Sequence, residues 1–465
     1  MEIRFCGAAQ TVTGSQFLVT VNKKQFLLEC GLFQGRRTET YERNLNFLYE
    51  PSSVGTLVLS HAHMDHSGNI PNLVKKGFTG TVYATPSTVD LCKIMLRDSA
   101  HVQQSDVEWV NRIRAKHHQE PVEPLYTTAD AESAMDFFAA ADYNRPFTVA
   151  PGATAVFLDA GHILGSAGIQ LDIEENGRKF RVGFAGDIGR PNMPIIRDPN
   201  HLRDLDVLMM ECTYGNRVHG PFDEIEERLA GIIRQAAAGG GKILVPSFAI
   251  GRTQMLIYLL HKLFDQNRIP EIPVYVDSPL AVQATEIYRN HPEDFDRETN
   301  RVFVRNHEDP FGFRRLTFVQ DTAESKKLNA LSFPHIIISS SGMCEGGRIL
   351  HHLRNNIEDP RCTILFVGYA ARNTLARKIM DGEECVRIFG EQFRVKARVE
   401  MMDSFSAHGD RHDLLNYVKT MQPDRLKHII LVHGEPDQAL PFRDALRSLG
   451  YRNIHYPAFN ERFTF

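Results

Sequence analysis

Between residues 61 and 66 the chain reads His61-Ala62-His63-Met64-Asp65-His66, three imidazoles and one carboxylate in a single short stretch. It follows Thr56-Leu57-Val58-Leu59-Ser60, an apolar run with the pattern of a buried strand. Imidazole and carboxylate donors suit zinc or a similar divalent ion. A turn leaving the end of a strand can aim His61 and His63 one way and Asp65 and His66 another, so the spacing predicts two metals rather than one. A dinuclear site needs about seven or eight protein ligands, including a carboxylate able to bridge. Further donors stand just after apolar runs: His162 after Val156 to Gly161, Asp187 after Phe184-Ala185-Gly186, and His433 after Ile430-Leu431-Val432. Each alone could equally be a hydrogen-bonded structural residue; their shared placement favours ligands. His101, His117 and His118 fall in a helical interval and read as solvated or structural.

The elements that must hold these residues follow from periodicity. From Met1 to about Val207, short strand-like runs alternate with glycine-rich turns, interrupted by a helical interval from about Ser87 to Phe138. From about Glu211 to Phe389 the pattern becomes strand, glycine turn, helix, repeated four times, which predicts a parallel sheet covered by helices. Strand patterning returns at Val395 to Met401 and Ile429 to Val432. The order is that of a strand-rich α/β domain interrupted by an α/β insertion, in a chain whose 465 residues favour two domains over one.

Composition narrows the class. Hydrophobic residues at 42% and charged residues at 24% exclude a disordered or fibrous chain. The seven cysteines include no Cys-x-x-Cys pair, which argues against both a disulfide framework and a thiolate zinc site. A net charge of −4 argues against wholesale attraction to nucleic acid, yet leaves room for a local basic groove. No apolar run approaches the ~18 residues of a membrane span. The start at strand-like Ile3-Arg4-Phe5 lacks the pattern of a signal peptide, so a cytoplasmic protein is expected.

Beyond the His-x-His-x-Asp-His stretch, His162 and Asp187, the chain contains Glu211-Cys212-Thr213-Tyr214-Gly215-Asn216-Arg217, Pro246 to Arg252, Asp277-Ser278-Pro279-Leu280-Ala281, Ser341 to Arg348, Phe405-Ser406-Ala407-His408 and His433-Gly434-Glu435. With these it resembles, almost end to end, the β-CASP branch of the metallo-β-lactamase superfamily. The resemblance is strongest to compact bacterial and archaeal relatives of the RNA 3′-end-processing endonuclease. It implies a metallo-β-lactamase αββα sandwich in two parts, residues 1–208 and 393–465, around a β-CASP domain at 209–392 with a mainly parallel sheet. It also implies two zinc ions, one held by His61, His63 and His162, the other by Asp65, His66 and His433, with Asp187 bridging. The implied activity is hydrolysis of RNA phosphodiester bonds, as an endonuclease and also from the 5′ end, leaving 5′-phosphate and 3′-hydroxyl termini. His408 would protonate the leaving oxygen and Glu211 would orient it; locally, His408 reads equally well as the neighbour of a helix cap.

Glu29, where the family more usually has Asp, would orient a ligand histidine. Ser341, Gly342 and Met343, between a strand and a helix, would hold phosphate, with Arg348, His352, Arg372 and Lys378 as further backbone contacts. Other departures are Cys212 for Ser, Ala370 for Gln, Asn373 for Gly and Ser404 for Gly; none removes a ligand. A small-molecule hydrolase of the superfamily would not need the inserted domain or His408, and a non-catalytic scaffold would be expected to have lost ligands. DNA is the nearer rival, but DNA-specific members tend to carry an apolar residue in place of His433. With neither an extra C-terminal domain nor an N-terminal RNA-binding extension expected, recognition of single-stranded RNA in a cleft falls to the two domains, a homodimer or a partner.

Overall fold

The computed structural model describes residues 1–35, 37–220, 224–368 and 370–465; Tyr369, within the segment from Gly368 to Leu375, lies outside them. The chain forms two compact units, one of residues 1–191, 198–218 and 408–465, the other of 192–197 and 219–407.

The first unit contains two seven-stranded sheets. One has the order β22-β1-β2-β3-β4-β5-β6, from Arg462–Thr464 (β22), Glu2–Phe5 (β1), Phe17–Val21 (β2), Lys24–Leu28 (β3), Val54–Val58 (β4), Thr81–Ala84 (β5) and Phe138–Ala140 (β6). The other runs β21-β20-β11-β10-β9-β8-β7, from Ile454–His455 (β21), His428–Val432 (β20), Val207–Glu211 (β11), Arg178–Phe184 (β10), Ala167–Glu175 (β9), Ala153–Asp159 (β8) and Pro146–Ala150 (β7). Alternation along β8 shows how sequence drives the layering: Ala153, Ala155 and Phe157 are buried, whereas Thr154, Val156 and Leu158 are half-buried. The buried face meets Phe5, Phe17 and Phe26 of the first sheet, and Phe17 packs on Phe184 with ring centroids 5.5 Å apart. Helices Arg411–Lys419 and Pro436–Ser448 cover the outer face of β11 and β20 through Leu414, Tyr417, Phe442 and Leu446.

The second unit is built on a six-stranded sheet, β14-β13-β15-β12-β16-β19, in which every pairing is parallel. Its strands are Ile243–Pro246 (β12), Val274–Val276 (β13), Leu316–Phe318 (β14), Ile336–Ser339 (β15), Thr363–Phe366 (β16) and Arg398–Met401 (β19). Buried on both faces, β12, β15 and β16 are continuous apolar runs. A hairpin of Cys385–Ile388 (β17) and Glu391–Arg394 (β18) precedes the edge strand.

The α/β class and the inserted parallel-sheet domain match expectation. The units divide at 218/219 and 407/408 rather than at 208/209 and 392/393. Strand β11 lies between β10 and β20, which draws residues 209–218 into the first unit, while β19 pairs with β16 and so belongs to the second. Apolar patterning predicts that a strand forms, not which sheet it joins. Among the described residues no helix is long and apolar enough to cross a membrane.

Candidate metal centre

Strands β8, β10, β11 and β20 run in one direction, because β9 is antiparallel to both β8 and β10, while β11 and β20 continue parallel. Their carboxyl ends deliver His162, Asp187, Glu211 and His433, and the segment after β4 delivers His61, His63, Asp65 and His66. Close backbone packing fixes these loops. A Cβ on Gly31 would lie 1.7 Å from the Asp65 carbonyl oxygen, and one on Gly189 would lie 1.8 Å from that of Gly161. The His433 amide donates to the Ala8 carbonyl at 2.8 Å, anchoring the last donor to the first strand's loop.

His61, His63, His162 and Asp187 form one cluster, and Asp65, His66 and His433 form a second. Nδ1 of His63 lies 3.1 Å from Nε2 of both His61 and His162, and Asp187 Oδ2 lies 3.5 Å from each of those two Nε2 atoms. A tetrahedral ion with ligands at about 2.1 Å needs donors about 3.4 Å apart, so the cluster has the dimensions of a zinc-sized cage. The same Asp187 oxygen is 3.4 Å from His66 Nε2, and Asp65 Oδ2 is 3.4 Å from His433 Nε2. Asp187 thus faces both clusters. His66 Nε2 and Asp187 Oδ1 are buried and make no hydrogen bond, an arrangement a cation would satisfy.

The protonation states also fit. Burial lowers His63 to about 4 and holds His61 and His162 well below the ordinary imidazole value, which leaves neutral donors. Asp65 is brought down to about 2 because the facing His66 and His433 outweigh its burial; for Asp187, His433, His66 and His408 do the same. His66 goes the other way: against burial, Asp187 and Asp65 raise it well above its usual range, so the pocket favours a positive charge.

Around these donors, Glu29 accepts from His66 Nδ1 at 2.6 Å and from the Ser60 amide and hydroxyl at 2.7 and 2.9 Å. The longer Glu side chain therefore still reaches His66, a donor of the second cluster. Two contacts had no counterpart in the sequence reading: Ser60 Oγ is 2.9 Å from His61 Nδ1, and Thr213 Oγ1 is 3.1 Å from His433 Nδ1. Ser60 adjoins His61 in sequence, which was an available signal; Thr213 lies 220 residues from His433 and left none. His408 Nδ1 sits 3.1 Å from both Glu211 carboxylate oxygens and 3.9 Å from Asp187 Oδ2. Burial opposes its charge, but Glu211 and Asp187 outweigh burial and push His408 up to about 9. Glu211 also accepts from the Ile188 amide at 2.7 Å. Cys212, its neighbour in sequence, turns its thiol toward the Val432 carbonyl at 3.4 Å, and burial together with the Glu211 charge holds that thiol well above its usual range.

The proposed phosphate contacts belong to the second unit. Ser341 accepts from the Glu345 amide at 3.2 Å, Gly342 lies against the Phe248 ring, and the Met343 carbonyl accepts from Ala376. Arg372 and Lys378 are exposed. Asn373 has φ of 69°, a conformation that Asn and Gly share. Arg348 and His352 are placed differently from expectation. Arg348 donates to Asp277 at 2.6 Å and to the Val319 and Gln320 carbonyls, and fully buried His352 lies 2.7 Å from the same carboxylate. A buried carboxylate demands cationic and hydrogen-bonding partners, and these two side chains supply them.

Residues 10–138 match the metallo-β-lactamase superfamily, 253–379 the β-CASP domain, and 392–457 a Zn-dependent metallo-hydrolase RNA specificity domain. The chain is 33% identical to a ribonuclease of Thermus thermophilus, over 95% of this chain and 94% of that one. It is 31% identical to a Pyrococcus abyssi protein named as a transcription termination factor, covering 95% of this chain and 67% of that one. An RNase J-like protein of Methanocaldococcus jannaschii is 29% identical over 95% of this chain and 94% of its own. In fold the chain also resembles a protein of unknown function from Enterococcus faecalis, with a TM-score of 0.55 at 12% identity over 99% of each chain.

Proposed function

The chain belongs to the β-CASP ribonucleases of the metallo-β-lactamase superfamily, metal-dependent hydrolases that act on RNA, and from that premise we propose a two-zinc cleavage of single-stranded RNA in the cytoplasm. The observation that carries this reading is one carboxylate, Asp187, facing two donor clusters with His408 and Glu211 beside it. His61, His63 and His162 would hold one ion, Asp65, His66 and His433 the other, and Asp187 would serve both. Bound metal supplies Lewis-acid stabilisation of phosphate charge and an acidified water.

The chain's own groups do the rest. Glu211 engages His408 through Nδ1 and favours the protonated ring, leaving Nε2 to deliver a proton to the departing ribose 3′-oxygen. Attack by water then leaves a 5′-phosphate on one product and a 3′-hydroxyl on the other. Glu29 and Thr213 fix the orientations of His66 and His433 from behind. The loop from Ser341 to Met343 and exposed Arg372 take up phosphates away from the scissile bond. The enzyme cuts internally and also proceeds from the 5′ end.

End-labelled RNA and a matched DNA, incubated with protein whose metal content has been measured, test the reading directly. The expected result is about two zinc ions per chain, cleavage of RNA in preference to DNA, and downstream products that are ligatable without prior phosphorylation. One metal or none in fully active, zinc-supplemented protein would sink the dinuclear mechanism; 2′,3′-cyclic ends would remove water as the attacking group.

A further inference from the structure

The helix Pro86–Lys116 is 31 residues long, and its last four turns present an apolar stripe to solvent. Val102 is 52% exposed, Trp109 56% and Ile113 37%, so three of the twelve large hydrophobics exposed among the described residues lie on one helix. With Asp106 and Lys116 they recur at alternating steps of four and three, the spacing of a coiled-coil seam. The opposite side of this helix is occupied: Asn111 exchanges hydrogen bonds with Val122, and the Gln104 side chain accepts from Thr128. The stripe is therefore an outer face.

We propose that this stripe is a self-association surface, on which a second copy of the chain lays the same helix antiparallel about a two-fold axis at Trp109. The charges on the face carry the choice of occupant. Asp106 precedes Trp109 by three residues and Arg112 follows it by three, so antiparallel pairing sets each carboxylate level with the partner's guanidinium. Val102 and Lys116, seven residues to either side, come level in the same register, the lysine's aliphatic stem lying along the valine. Each Trp109 faces its symmetry mate, and the surface is complementary to itself, as an isologous interface must be. An RNA backbone would be drawn to Arg112 and Lys116 but opposed by Asp106 and Glu108, exposed carboxylates within one turn of the tryptophan, whereas a second copy pairs charges of both signs. The stripe spans only about 21 Å of helix. A contact of that length holds few residues a side against the ~20–30 of a standard interface, so the association is weak and concentration-dependent.

Trp109 is the chain's one tryptophan, which makes its fluorescence a direct reporter. Over about 0.5 to 100 µM full-length protein, sedimentation should show monomer passing to dimer while Trp emission shifts to the blue and acrylamide quenching falls. Asp106→Arg or Arg112→Asp alone should weaken association about tenfold or more by opposing like charges, and the double exchange should restore it, which a folding defect would not do. A protein that stays monomeric with unchanged Trp emission overturns the proposal, as does a dimer indifferent to both single exchanges. Quenching of Trp109 by added single-stranded RNA without any change in association state also overturns it, and assigns the stripe to nucleic acid.

Discussion

His408 and His433 are both late histidines near Asp187, but their partners separate them. His433 Nε2 faces Asp65, a donor of the second cluster, whereas His408 Nδ1 is taken up by Glu211. The His433→Ala variant should therefore lose about one metal per chain together with activity. His408→Ala should keep both metals and bind RNA while cleaving it about 10² to 10⁴-fold more slowly, the usual worth of a positioned acid. A phosphodiester with a low-pKa leaving group should restore His408→Ala far more than His433→Ala, since such a group departs without a proton. Loss of zinc from His408→Ala, or equal recovery in the two variants, would reassign His408 as a ligand or a structural residue.

At the scale of elements, Arg348 behaves as a brace. It sits just before the helix Ile349–Asn356 and ties the end of β13, through Asp277, to carbonyls beyond β14. Removing it leaves a buried carboxylate with His352 and Ser325 as its side-chain partners among the described residues, so Arg348→Ala should cost about 3 kcal/mol of stability. Urea unfolding of the variant measures this, and undiminished stability with weakened RNA binding would return Arg348 to the phosphate contacts. His335, at the entry to β15, gives a pH signature. Burial lowers it to about 4, and its ring lies 2.7 Å from the Phe333 carbonyl. The unfolded chain takes up that proton near its ordinary 6.5, so this contribution is complete above pH 6.5 and is lost as pH falls toward 4. His335→Gln should flatten stability between those values; an unchanged slope would show that other groups set it. These braces also show what sequence can reveal. The strand-end donors His61, His162, Asp187 and His433 were legible because each follows an apolar run. Arg348 was not, because its partner Asp277 lies 71 residues away in sequence. Nor was the sheet chosen by β19, since parallel pairing leaves no local mark.

For the whole molecule, the distribution of buried charge predicts where metal acts on stability. Glu29, Asp65, Asp187 and Glu211 converge within the first unit, and all the imidazoles facing Asp187 belong to that unit too. The second unit instead satisfies its buried Asp277 with its own Arg348 and His352. A bound cation stabilises only the state that holds it, by about 4 kcal/mol when free metal exceeds Kd a thousandfold. Stripping metal with a chelator should therefore lower the apparent Tm by on the order of 10 °C. Hydrogen exchange followed by mass spectrometry should place the loss of protection in the loops after β4, β8, β10 and β20, with amides of β12, β15 and β16 little changed. Readdition of zinc should restore both Tm and protection. A chelated protein with unaltered Tm, or with protection lost equally from the parallel sheet, would show that the donor clusters hold themselves together without an ion, and the carboxylates would then have to be neutralised by protons rather than by metal.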